Sequence, residues 1–175
     1  MKTIQLHGKR VIDSFSNEQA KRTKIVNMNI DPKYENKKMQ FELLNKLNYN
    51  IDCKEEEEIK LINLIKQELK KKHYSYRQQD IKKNILVEEM LISLEQIIQK
   101  LNDSLLECYY CSKYVKVIYS DVRDPQQWTL DRIDNNIGHY NDNVVICCLR
   151  CNLQRRRLDD EKFLATKQLK INKQE

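Results

Sequence analysis

The feature that most constrains this chain is a pair of cysteine doublets, Cys108-Tyr-Tyr-Cys111 and Cys148-Leu-Arg-Cys151. Each doublet can place two thiolates about 2.3 Å from one zinc ion, and two doublets a few dozen residues apart complete a tetrahedron. A chain tied in this way must bring its two doublets together, so the fold between them is a closed loop. That loop is polar and rich in Asp, Asn and His, including Asp131, Asp134, His139 and Asn143. Such groups suit a second, hard, oxygen-ligated metal ion. Two cysteines are left over. Cys147 reads as a small buried residue beside Cys148, and Cys53 as an ordinary free thiol.

Composition limits what surrounds the loop. With 175 residues, the expectation is one domain, or one domain plus a helical appendage. Only two glycines (Gly8, Gly138) and two prolines (Pro32, Pro125) occur, which favours helices over a sandwich or barrel. The formal net charge of +6 favours an anionic partner without naming it. The first residues, Met1 to Arg10, are charged and have no apolar h-region, and no run approaches the ~18 apolar residues of a membrane span. The expected setting is therefore intracellular and reducing, with no membrane partner, where six cysteines read as metal ligands before disulfides.

Hydropathy periods divide the chain. Residues 1–36 lack a sustained period and read as a poorly ordered arm, with Asp31-Pro32 a turn. Residues 37–104 read as helical. Phe41, Leu44 and Leu47 mark one helix, and Leu61, Ile62, Ile65 and Leu69 a second, capped by Asp52 and running to about Lys72. Tyr74 to Lys83 interleaves aromatics with cations, as a base-stacking surface or the edge of a surface helix would. Ser93-Leu-Glu-Gln96 is a capping box before Leu94, Ile97, Ile98 and Leu101. Residues 105–175 hold the metal-binding loop. Strands are expected over Val115–Tyr119, Gln127–Ile133 and Val144–Ile146, with a turn at Asn135–Gly138 where Gly138 supplies backbone freedom. A helix from Cys148 or Leu149 carries Asn152, Arg155, Arg156 and Arg157, and a last helix packs Phe163, Leu164 and Leu169.

In order, Cys-x-x-Cys, Leu130-Asp131-Arg132-Ile133-Asp134-Asn135, Gly138-His139, Asp142-Asn143-Val144-Val145 and Cys-x-x-Cys-Asn152 resemble the zinc-containing HNH endonucleases. The phage junction-resolving endonucleases are a similar branch. The resemblance covers residues 108 to about 157, and the whole chain, including the Tyr76 to Asp80 stretch, also resembles uncharacterised HNH proteins of large DNA viruses. It implies an α+β protein, with an N-terminal helical region before a zinc-bound, treble-clef-like ββα-metal module, working in a host cell or virion.

By the same resemblance, Cys108, Cys111, Cys148 and Cys151 would hold a structural zinc. Asp131 and Asn152 would face a catalytic Mg²⁺ or Mn²⁺, and Asn143 would tie the loop between the strands. The departure is at Arg132, which stands where the family's general-base histidine normally follows the metal aspartate. An arginine cannot act as a base, since its pKa exceeds about 12, but it can clamp a phosphate oxygen. His139 is the remaining candidate base, set against a plain loop histidine bonded to backbone, with Asp134 the fallback. Arg150, Arg155, Arg156 and Arg157 put cations on one short helix, either a solvated face or a set of phosphate contacts. The expected function is phosphodiester hydrolysis in DNA, with RNA an alternative substrate. The rivals are a zinc-stabilised nucleic-acid-binding module without hydrolysis, and a structural or virion-associated zinc protein.

Overall fold

The computed structural model describes residues 30–169 of the chain. Among them are five α-helices and one two-stranded antiparallel sheet, an α+β fold. Helix α1 spans Lys37–Asn48, α2 Glu56–Lys82, α3 Leu94–Asp103, α4 Leu149–Arg155 and α5 Asp160–Gln168. Strands β1 (Trp128–Arg132) and β2 (Val144–Cys148) pair in the register Trp128 with Cys148, Leu130 with Ile146 and Arg132 with Val144.

Helix starts follow their caps. Asn36 accepts from the Met39 amide at 3.0 Å to open α1, and Ser93 and Gln96 form both bonds of the capping box that opens α3. The break expected near Lys72 does not occur. Helix α2 is one 27-residue rod, about 40 Å long, capped by Glu55 rather than Asp52. Nothing between Glu56 and Lys82 is glycine or proline, and the inward face marked by Leu61, Ile65 and Leu69 continues at helical spacing through Tyr76 to Asp80. That continuation carries a helix from the apolar core to the polar end of β1.

Two further expectations are corrected. The arm expected over residues 1–36 lies outside the described residues as far as residue 29. Beyond it, Ile30 and Tyr34 are buried, and Pro32–Glu35 forms a 3-10 turn. Glu35 fixes that turn by accepting from Lys116 Nζ at 2.6 Å and from the Ser120 amide at 2.8 Å. Val115–Tyr119 is buried extended chain but forms no strand ladder. Lys116 bonds backbone to backbone, its amide on the Gln126 carbonyl at 2.8 Å and its carbonyl taking the Trp128 amide at 2.9 Å. For Val117 and Ile118 the partner is a side chain: Gln40, fully buried on α1, accepts from the Val117 amide at 2.7 Å and donates to the Ile118 carbonyl at 2.8 Å. A single glutamine thus satisfies the polar groups that a neighbouring strand would otherwise pair.

The buried residues form one cluster that runs from Ile30 and the faces of α1 to α3 through Tyr110, Val117, Trp128 and Ile146 to Phe163. All five residues of β1 are buried, so the sheet is covered on both faces. Leu169, expected in this core, is exposed.

Candidate functional site

The metal centre is built from a knuckle and a helix start. After Cys108 the chain doubles back, with the Ser112 amide on the Cys108 carbonyl at 2.8 Å and the Cys108 amide on the Lys113 carbonyl at 2.9 Å. The Tyr109 amide donates to the Ile146 carbonyl at 2.9 Å, which pins this knuckle against β2. Cys148 ends β2 and caps α4, its sulfur accepting from the Cys151 amide at 3.4 Å. The sulfurs of Cys108, Cys111, Cys148 and Cys151 all lie within 4.8 Å of one another, and Cys111 and Cys148 are 3.9 Å apart. Thiolates around a tetrahedral zinc with bonds of about 2.3 Å stand about 3.8 Å apart, so the set fits a structural metal such as zinc. Cys147 is buried next to this cluster but bonded to Thr129, and Cys53 is half-buried elsewhere.

Helix α4 explains the next feature. Cys148, Cys151 and Arg155 follow at helical spacing, so Arg155 shares the inward face of the cysteines. It is 1% exposed. Its guanidinium donates to the Arg132 carbonyl at 2.6 Å and the Ile133 carbonyl at 2.7 Å, and pairs with Asp131 at 2.9 Å. Arg155 therefore closes the end of β1 and is withdrawn from any phosphate-contacting surface, contrary to the expectation for it. Arg150, Arg156 and Arg157 are exposed.

Asp131 belongs to the same knot. One carboxylate oxygen takes Arg155 and the other accepts from the Tyr110 hydroxyl at 2.9 Å, while that hydroxyl lies 2.6 Å from Asp160. Asn152 donates instead to Thr129 Oγ1 and the Leu130 carbonyl, both at 3.2 Å. Asp131 and Asn152 line the same cleft, Asp131 paired with Arg155 and Asn152 engaged through its Nδ2. Asn143 does tie the loop: it accepts from the Asp134 amide at 2.9 Å and donates to the Asp134 and Gly138 carbonyls, both at 3.0 Å. Asp134 is exposed and turns back onto the Asn136 amide at 2.8 Å.

His139 is held by a residue outside the loop. Asp80, on α2 and fully buried, accepts from the His139 backbone amide at 2.6 Å and lies 2.7 Å from its ring Nδ1. The Tyr76 ring packs on the imidazole with centroids 4.7 Å apart. Burial holds the imidazole below its usual pKa, with the Asp80 carboxylate working against that. Among the described residues nothing bonds to Nε2. Arg132 is also turned inward, its Nη1 3.5 Å from Asp80 and 3.3 Å from the Ile137 carbonyl. Gly138 matters here for close approach rather than backbone freedom, since a Cβ would come within 3.0 Å of the Ile85 carbonyl and 3.1 Å of Asp80.

His139, Arg132, Thr129 and Asn152 line one wall of a cleft of about 400 Å³, and α2 lines the other. Lys72, Ser75, Gln79 and Lys83 recur there at helical spacing as a polar stripe facing the sheet. Burial pulls the Lys72 ammonium down to about 7, although Glu68 opposes the shift, and it donates to the Trp128 carbonyl. Lys83, Arg132 and Arg156 line the same cleft, with Arg132 turned to Asp80 and Asp131 beside it. In the stretch that reads from sequence as either a base-stacking surface or the edge of a surface helix, Tyr76 is buried against His139, while Arg77 pairs with Glu88 at 2.8 Å. Sequence reasoning misses Asp80 and Lys72 as site residues. Their signal is positional: both fall on the inward face of an otherwise apolar helix.

The fold and the site define an α+β chain with a four-cysteine cluster fit for zinc. Over 71 residues it is 37% identical to an uncharacterised protein of Acanthamoeba polyphaga mimivirus, a match covering 40% of this chain and 11% of that viral protein. No family model matches the chain, and no solved structure matches it. Among the described residues no helix is long and apolar enough to cross a membrane.

Proposed function

We propose that the chain is a zinc-stabilised endonuclease of HNH type that hydrolyses phosphodiester bonds in DNA. The observation that carries this reading is His139, held by Asp80 at Nδ1 with Nε2 unbonded, lining a cleft with Lys72, Lys83, Arg132 and Arg156. Water adds its oxygen to phosphorus and its proton passes to His139 Nε2. The bond from phosphorus to the departing sugar oxygen breaks, and that oxygen takes a proton from solvent. Lys72, Lys83, Arg132 and Arg156 supply positive charge along the phosphate path. Zinc fixes the start of α4, and hence Asn152, against β1. A catalytic Mg²⁺ or Mn²⁺ belongs to this reading, and Asp131 and Asn152, which line the same cleft, would hold it, each Asp131 oxygen keeping a lone pair beside its bond to Arg155 or Tyr110.

The ion pair of Asp131 with Arg155, which offsets the charge a cation would need, together with Arg132 in the usual base position, favours a second reading: a zinc-stabilised module that binds nucleic acid without cutting it. Plasmid nicking with Mg²⁺ or Mn²⁺, against an EDTA control, separates the two when run beside DNA binding at several salt concentrations. Divalent-dependent nicking supports the endonuclease. Salt-dependent binding without nicking supports the second reading, and the absence of both contradicts each.

A further inference from the structure

We infer that Asp80, on a helix more than forty residues before the loop it serves, is the positioning residue that fixes His139 as its Nδ1–H tautomer and presents Nε2 to the cleft. The inference rests on the endonuclease reading for its catalytic meaning and on geometry for everything else.

The carboxylate grips one residue twice. One oxygen accepts from the His139 amide at 2.6 Å and the other faces ring Nδ1 at 2.7 Å. Two donors from a single residue set both the position of the loop and the torsion of the ring. A carboxylate, which only accepts, assigns the shared proton to Nδ1 and leaves Nε2 as the acceptor. The rest of the surroundings keep that arrangement in place. The Tyr76 ring blocks one face of the imidazole, the Ile92 amide donates to the His139 carbonyl at 2.9 Å, and a Cβ on Gly138 would crowd the Tyr140 ring at 2.7 Å and Asp80 at 3.1 Å.

A purely structural role for Asp80 would be met by any acceptor of the loop amide, with no need for the second oxygen on the ring. Fully burying a carboxylate is costly unless its partners repay it, and the partners here are His139 and the Arg132 guanidinium. The charged and titratable groups facing His139 are Asp80, Lys83 and Tyr76 from α2 and Arg132 from β1.

The test uses the zinc-loaded full chain, labelled with ¹⁵N, and the Asp80→Asn variant. Long-range ¹H–¹⁵N correlation of the imidazoles, with the His139 signals assigned from their loss in His139→Gln, should give Nδ1 protonated and Nε2 unprotonated in the wild type. Asparagine offers one acceptor where the carboxylate offers two. Asp80→Asn should therefore lose the single tautomer, keep its zinc, and nick supercoiled plasmid about 10²-fold more slowly. The acid limb of its rate profile should move to lower pH, because the carboxylate that favours the imidazolium is gone.

An Nε2–H tautomer in the wild type overturns the inference. So does a variant with wild-type rate and pH profile, or one whose rate falls only in step with zinc content and melting temperature. Should Asp80→Asn fail to fold, the wild-type tautomer alone decides. Absence of nicking by the wild type would contradict the endonuclease reading, leaving the tautomer to judge the positioning claim separately.

Discussion

At the scale of single residues, the arginines after the second cysteine doublet divide into two kinds. Arg155 is inside the fold and satisfies two carbonyls and a carboxylate. Arg155→Ala should leave Asp131 buried without its counter-charge and lower stability by about 3–5 kcal/mol, read from denaturant unfolding of the zinc-loaded protein. Arg156 and Arg157 are exposed. Replacing both with alanine should leave stability within ~0.5 kcal/mol and weaken DNA binding for all sequences alike, with the salt slope shallower by about one per lost contact. An unchanged slope would mark them as a solvated face. The same partition governs Asp131, whose replacement by alanine strands the Arg155 charge. Asp131→Asn is the cleaner probe of a metal role, because it keeps an acceptor for Arg155.

At the scale of elements, Glu35 shows what joins the 3-10 turn to the rest of the chain. Burial works to raise its pKa, but bonds from Lys116 and the Ser120 amide prevail and hold it at about 2 against an ordinary 4.5. A depressed carboxyl contributes stability that is complete above about pH 4.5 and is lost as pH falls toward 2. Glu35→Gln should cost about 1–2 kcal/mol at neutral pH, and its melting temperature should approach that of the wild type across that window. A difference independent of pH would remove Glu35 from this role. The two cysteine doublets, the α3 capping box, β1 and β2 were legible because each is a local pattern, and the loop tie at Asn143 followed from the family resemblance. The unbroken α2, the Gln40 clasp and the Asp80–His139 contact were not. The clasp and the contact join residues dozens of positions apart, and only packing reveals how far α2 runs and which of its faces meets the loop. Arg155 was recoverable in principle, since its spacing from Cys148 and Cys151 places it on their face.

At the scale of the whole molecule, the four-cysteine cluster and α2 act as two clamps on one strand pair. Cys151→Ser should release the metal and unfold the segment from Cys108 onward, because zinc ligation supplies much of a small module's folding free energy. Elemental analysis that finds no zinc in the wild-type protein would contradict that account. With both clamps in place, β1 and its following loop form one wall of a cleft and α2 the other, with His139 between them; in the proposed reading it is the base. The most direct test is the initial rate of Mg²⁺- or Mn²⁺-dependent nicking of supercoiled plasmid by the wild type and by His139→Ala, at matched zinc content. The account predicts nicking by the wild type and a rate at least about 10²-fold lower in the variant. Equal rates in the two proteins, or no nicking by either, would contradict it.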